Sequence, residues 1–239
     1  MSFSPSQVIS YMEMCTEEGA SLQRGMNFRL GGSHSVFLMS VRKGAPYADQ
    51  VSDDGQTLIY EGHNVPKSEA CPIPQAVDQI LKTESGALTQ NGHFYQAAEK
   101  CRNGEAPPER VRVYEKIKKG IWVYSGMFAL VDAWMEASDP RSVCKFKLEL
   151  LANEPTGSAL QDGQQSTDSQ SPGRMIPTGV KLKVWDRDRG RCQFPGCGAE
   201  DELHFDHIVP FSKGGSSTTE MNVQLLCARH NLEKSARIE

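Results

Sequence analysis

The sequence predicts an α+β protein in two unequal parts: a curved sheet or barrel, then a small module gathered around clustered cysteine and histidine. Three observations lead there. Short runs that read as strands fill the stretch from about Phe28 to Leu151, punctuated by Gly, Pro and Asp. Cys192, Cys197, Cys227 and His230 fall in two close pairs towards the carboxy terminus. Between the parts, residues 153–175 are rich in Gly, Ser, Gln, Asp and Pro, with too few large apolar side chains to bury a core. The expected divisions are a lead-in at 1–27, a sheet domain at 28–152, a flexible linker at 153–175 and a small domain at 176–239.

Taken in order, Met1 to Gly25 reads as a short helical lead-in with Val8, Ile9, Met12 and Cys15 on one side. Strands are expected at Ser35–Val41, Thr57–Tyr60, Arg110–Lys116, Ile121–Tyr124, Phe128–Trp134 and Cys144–Leu150, with a helix at Gly92–Cys101. The linker implies that the two domains fold independently. In the small domain, Leu203–Val209 alternates apolar and polar as a strand does, and Pro210 with the following Gly- and Ser-rich turn ends it. Leu225–Arg237 reads as a helix with Arg229, Lys234 and Arg237 on its exposed side.

Composition narrows the class. No apolar run approaches the roughly 18 residues that span a bilayer, so no membrane partner is expected. The other cysteines, Cys15, Cys71, Cys101 and Cys144, lack framework spacing, which fits a reducing cytoplasm. A net charge of −4 argues against a generically basic nucleic-acid binder, though local basic patches still direct phosphate contacts.

The chemistry concentrates between Cys192 and Asn231. Three thiolates and an imidazole in two pairs suit a tetrahedral Zn²⁺ site, which would hold together a segment too small for its own core. Asp206 and Asn231 offer hard oxygen ligands for a divalent cation, and His207 a general base. On a regular strand Asp206 and His207 point to opposite faces, so one site can use both only if the chain bends there.

These residues, from about Lys181 to Ile238, resemble the HNH (ββα-metal) nuclease family. The resemblance implies that Asp206 and Asn231 hold a catalytic Mg²⁺ or Mn²⁺ and that His207 deprotonates water. It further implies that Asn222 pins the loop orienting His207, and that Cys192, Cys197, Cys227 and His230 bind structural zinc. His230 stands where the family commonly has Cys. His204 varies in the family, and its role stays open between phosphate contact and none.

Three stretches in order resemble the SRA (SET- and RING-associated) family, whose fold is a PUA-like curved β-barrel. They are Ser35–Ser40 with Tyr47-Ala48-Asp49 and Ile59-Tyr60-Glu61-Gly62; Val77-Asp78-Gln79 with Leu88–Gly92; and Pro108–Val113 with Tyr124–Phe128 and Trp134. The resemblance implies that 5-methylcytosine or 5-hydroxymethylcytosine is flipped out of the duplex between the Tyr47 and Tyr60 rings. A carboxylate, Asp49 first and Asp53 second, would read its amino edge. Glu61 replaces a common Thr beside that pocket, followed by His63 and Asn64 where a Gly-rich turn is usual. Arg42, Lys43 and the loop from Val65 to Pro74 would flank it. Together the two resemblances imply a cytoplasmic, modification-dependent DNA endonuclease of the bacterial restriction type. One nuclease site cuts one strand, so a double-strand break needs a homodimer or two binding events. The competing expectations are a reader of modified DNA whose zinc module is only structural, and an HNH nuclease whose barrel reads another nucleic-acid feature.

Overall fold

Residues 3–30, 32–41, 44–45, 47–52, 55–69, 71–151, 175–210 and 213–234 are described by a computed structural model of the chain. Asp53, Arg42, Lys43, Arg237 and residues 153–174 of the expected linker lie outside them.

The order of elements is β1 (Val8–Ile9), α1 (Tyr11–Glu18), β2 (Met26–Leu30), β3 (His34–Met39), β4 (Gln50–Val51), β5 (Thr57–Glu61), α2 (Gln90–Arg102), β6 (Glu109–Lys118), β7 (Ile121–Ser138), β8 (Arg141–Leu150), α3 (Thr178–Asp188), β9 (Leu203–His207), β10 (Val223–Cys227) and α4 (Ala228–Lys234). One mixed sheet runs β2-β3-β6-β7-β8-β5-β4, with β1 added alongside β7. Among the described residues only β3 and β6 pair in parallel; a second, two-stranded sheet pairs β9 with β10. Among the described residues β2 and β4 are edges, so hydrogen bonding leaves the large sheet open rather than closed into a barrel.

The sheet bends because β7 is bulged. The expected strands at 121–124 and 128–134 are one strand of 18 residues, with register shifts opposite Val113/Tyr114 and at Leu130/Asp132. An extra residue at each shift kinks the strand and increases its twist. Gly126, at φ 120°, takes the backbone conformation that the first bulge demands. The bent sheet wraps α2, capped by Thr89, whose hydroxyl accepts from the Gly92 N–H. Phe37, Phe94, Phe128 and Phe146 fill the space between.

Several expectations change. The lead-in is a strand followed by a helix; Met14 is buried and Met12 exposed, because the helix begins only at Tyr11. Glu18, at the end of α1, accepts from Tyr114 and Arg112 and pairs with His34. Burial raises its pKa, but these partners outweigh it and hold the carboxyl below its usual range. Residues 225–227, expected in a helix, are strand: Leu225 and Leu226 alternate between faces and pair with Phe205 and His204. Thr178–Asp188 is a helix that the sequence reading did not identify.

The two parts are not independent. Ile117 and Val123, on the β6–β7 hairpin, share one core with Val180, Val184, Leu203, Phe205 and Leu225 of the small module. Met175 packs into the core of the large sheet, while its neighbour Ile176 packs into the shared one. The Met175 N–H also donates to the Gly55 carbonyl at 2.9 Å, so the expected linker ends in an anchored residue.

Candidate functional site

Two groups of side chains carry the candidate chemistry. The first lies where β5 meets β8 and the 47–49 segment. Asp49 is 8% exposed. Its Oδ2 accepts from the Ser40 N–H at 3.1 Å and its Oδ1 from the Glu61 N–H at 3.0 Å. Burial outweighs these bonds and raises its pKa to about 6. Glu61 faces Lys145 across the β5–β8 register. Its carboxylate accepts from Lys145 Nζ at 2.9 Å, Arg141 Nη2 at 3.1 Å and the Ala48 N–H at 3.1 Å. Glu61, expected beside the pocket as a substrate-binding residue, is thereby committed to protein partners.

The two tyrosines differ. Tyr47 is half-buried, with its ring stacked near His63 at 6.0 Å and 30°. Burial holds His63 down at about 4, so that ring is neutral. Tyr60 is 1% exposed. Phe37 stacks on it at 4.2 Å, and its hydroxyl lies 3.2 Å from both the Gly25 and Leu38 carbonyls. It points to the core because alternation on β5 puts it opposite Glu61. The expectation of Tyr60 as an open plate facing Tyr47 is therefore corrected: in this structure it is a core aromatic at the rim of the group. His63, Arg141 and Lys145 were missed by sequence reading; for Lys145 the only signal is the cross-strand register.

The second group is in the small module. Cys192 Sγ and Cys227 Sγ lie 3.4 and 3.3 Å from His230 Nδ1, and Cys197 Sγ lies 4.0 Å from Cys227 Sγ. All four ligand atoms fall within 4.8 Å of one another. Tetrahedral zinc, with Zn–S about 2.3 Å and Zn–N about 2.0–2.1 Å, sets ligand separations of about 3.5–3.8 Å. The donor set and its spacing thus fit a tetrahedral metal ion. Phe194 stacks on His230 at 3.9 Å and 10°, fixing the ring. Arg229 Nη2 lies 2.9 Å from His230 Nε2. Ligation at Nδ1 puts a proton on Nε2, and the Arg229 side chain, 70% exposed, is free to withdraw.

His207 closes β9. Its Nε2 shares a hydrogen bond with Ser217 Oγ at 2.8 Å. Burial lowers its pKa and Lys234 adds to this, while Asp206 opposes. Beyond it the loop is tied to Asn222. The Asn222 carboxamide oxygen accepts from the Val209 N–H at 2.8 Å, and its Nδ2 donates to the Val209 and Ser216 carbonyls, both at 3.0 Å. Gly215 lets the loop close this tightly, since a Cβ there would meet the Val209 carbonyl oxygen at 1.7 Å.

Asp206 Oδ2 is buried without a hydrogen-bond donor in proper geometry. Lys234 Nζ nevertheless lies 2.8 Å from it, a charge contact rather than a directed hydrogen bond. Lys234 also donates to the His207 carbonyl at 2.6 Å. The expectation of an exposed Lys234 is corrected: it is buried, because α4 begins only at Ala228 and turns this residue inward. Asn231 follows His230 on α4 and is half-buried. His204 is buried with Nδ1 unpartnered. Ser217 and Lys234 carried no signal that would have separated them from ordinary loop and helix-surface residues.

Comparison with protein families matches residues 9–154 to the SAD/SRA domain and residues 190–237 to the HNH endonuclease. Among solved structures, the SUVH5 SRA complex with hemi-methylated CG DNA is 24% identical, covering 66% of this chain and 92% of that one at a TM-score of 0.42. SUVH5 SRA bound to fully hydroxymethylated CG DNA is 25% identical, covering 65% and 89% at a TM-score of 0.42. The Type IV phosphorothioation-dependent restriction endonuclease ScoMcrA is 16% identical, with 99% of this chain and 60% of that one covered at a TM-score of 0.41. No curated protein matches. With the family match spanning more than half its length, the chain belongs to the SAD/SRA domain family and carries an HNH endonuclease domain behind it.

Proposed function

We propose that the protein is a modification-dependent DNA endonuclease that flips 5-methylcytosine or 5-hydroxymethylcytosine out of the duplex and hydrolyses a phosphodiester nearby. The observation that carries the reading is the match of one chain to both the SAD/SRA domain and the HNH endonuclease, with Asp206, His207, Asn222 and Asn231 present in the sequence. Asp49 would accept from the cytosine amino group, and Tyr47 would restore stacking to the flipped base. Glu61, braced by Arg141 and Lys145, would hold the backbone under Asp49.

At the nuclease site Nε2 of His207 is engaged by Ser217, which leaves Nδ1 to take the proton of the attacking water. The lowered pKa keeps that base neutral at physiological pH. Asp206 Oδ2, held by the Lys234 charge contact, and the Asn231 carboxamide are oxygen donors that would fit Mg²⁺ or Mn²⁺ in exchange for that contact. Such an ion, when bound, would stabilise charge on the scissile phosphate and the leaving oxygen. Asn222 would keep His207 aligned through the loop, and Cys192, Cys197, Cys227 and His230 would hold structural zinc. The partner is double-stranded DNA; one site per chain implies nicking unless two copies act together.

A second reading has one observation in its favour. Lys234 already neutralises Asp206, as in a reader whose module is only structural. Digestion of one DNA sequence in unmodified, 5-methylcytosine and 5-hydroxymethylcytosine forms, with Mg²⁺ or Mn²⁺, separates the two. Metal-dependent cleavage confined to modified DNA is expected, reduced about 10²–10⁴-fold by His207→Ala with binding retained. No cleavage under any metal, with modified-DNA binding intact, would leave the reader.

A further inference from the structure

The attachments between the two parts carry an inference about where the enzyme cuts. Residues Ser4–Ile9 run between the large sheet and the β9–β10 pair and bond to both. On one side the Ser6 N–H donates to the Tyr124 carbonyl at 2.8 Å and the Tyr124 N–H to the Gln7 carbonyl at 3.0 Å, and β1 then pairs Val8 with Val123 and Ile9 with Trp122. On the other side the Phe205 N–H donates to the Ser6 carbonyl at 3.0 Å, and Gln7 bridges His204. Phe205 and His204 lie directly before Asp206 and His207. Ser6 makes both sets of bonds because its backbone sits at φ 70°, a left-handed conformation that turns the strand from one sheet to the other.

A buried ion pair adds a second attachment. Glu115, on β6, accepts from Lys181 and Thr178, both on α3, and all three side chains are buried. The shared core of Ile117 and Val123 with Val184, Leu203 and Phe205 is a third.

We infer that these attachments make the base-reading sheet and the nuclease module one rigid body, so that the cut falls at a set distance from the modified base rather than anywhere a tether reaches. The inference rests on the proposed function for the DNA part; the rigidity does not.

Two measurements on the full chain test it. Without DNA, ¹⁵N relaxation should give the β6–β8 and β9–β10 amides one common rotational correlation time. Two distinct times would overturn the rigid body whatever the protein does to DNA. With a duplex carrying a single modified cytosine, cuts should fall at one position or two adjacent ones. A rigid protein that cuts at scattered positions would overturn the set distance while leaving the nuclease reading standing. The variant arm is Ser6→Pro with Lys181→Met. Proline lacks the N–H and is barred from positive φ, so correlation times should split and the cut window widen several-fold, with cleavage retained. Ser6→Gly, which tolerates φ 70°, should behave like the parent. If the double variant folds and keeps both a single correlation time and the parent's narrow window, the Ser6 and Glu115–Lys181 attachments do not set the distance and the inference fails for them. If it does not fold, the parent measurements decide.

Discussion

The large sheet and the small module differ in the polar groups gathered at their candidate sites. In the sheet, charges near the candidate pocket are held by protein partners: Glu61 by Arg141, Lys145 and a backbone N–H, Asp49 by two backbone N–H groups, one on each oxygen. In the module, His204 Nδ1 is buried without a hydrogen bond, Asp206 Oδ2 has the Lys234 charge contact at 2.8 Å, and three thiols crowd an imidazole. The sheet has its own aromatic core, whereas the module completes its core with Ile117 and Val123 of the β6–β7 hairpin. A cluster whose charges are paired within the fold is held in place before any partner binds. A cluster of four potential metal ligands, in a module whose core is shared, depends on what it binds and on its neighbour.

Zinc removal tests that contrast most severely. Structural zinc contributes about 10–16 kcal/mol in small zinc modules. Chelation, or Cys227→Ser, should therefore melt β9, β10 and α4. Because the core is shared, it should also lower the melting temperature of the sheet, in contrast to the independent domains that the linker suggests. Calorimetry showing an unchanged sheet transition after chelation would break the comparison at its strongest point.

The contact between the regions is next. Lys181→Met strands the Glu115 carboxylate in the shared core, and losing one partner of a buried pair costs about 3–5 kcal/mol. Replacing both, with Glu115→Leu and Lys181→Met, should recover most of that loss. Urea denaturation of the two variants checks it; equal destabilisation by both would show that packing rather than charge holds the junction.

Tyr47 sharpens the account of the preformed side. Tyr47→Ala should lose about 1–3 kcal/mol of base stacking, or about 5- to 150-fold in preference for modified over unmodified duplex. Nonspecific affinity should stay, since it rests on phosphates. Tyr60→Ala should instead lower stability, as loss of a core aromatic does. A competition titration at fixed salt beside a melting curve separates the two residues, and the same behaviour from both would undo the distinction drawn from burial.

The smallest effect is a titration. Asp49, with its pKa raised to about 6, is an ionised acceptor above that pH and loses its charge as pH falls through it. Preference for modified DNA should weaken between neutral pH and about pH 5, and Asp49→Asn should flatten the curve. Unfolding does not confuse the result through this group. A raised carboxyl pKa means that burying the ionised form costs stability above about pH 6, and the cost is relieved on acidification. Glu18, whose pKa is lowered, supports the fold above its unfolded pKa and withdraws that support only as pH falls below its usual range. A preference independent of pH across this window would remove Asp49 from the reading of the base.

Local pattern carried much of this protein. Strand periodicity located β3, β5, β6 and β8 to within a few residues, and the segment Gly92–Cys101 marked α2 without its Thr89 cap. The paired spacing of Cys192, Cys197, Cys227 and His230 identified a ligand set that the fold brings within 4.8 Å. Those signals are legible because strand alternation, helix-like patterning and knuckle spacing are properties of a few neighbouring residues.

Other features depend on residues distant in sequence. Tyr60 and Glu61 are adjacent, yet pleating sends one into the core and the other to Lys145, 84 positions away. Lys234 looks like a surface helix residue until the start of α4 is known, and then it is found buried against Asp206. Ser6, in a segment with no motif, joins two sheets. By itself the sequence determined the two families, the central strands of the large sheet and the ligand set, since each is written in local spacing. Which tyrosine stays accessible, which lysine is buried and whether the two parts move as one were decided only by tertiary structure, because each depends on a pairing register or a packing face that no short stretch of sequence contains.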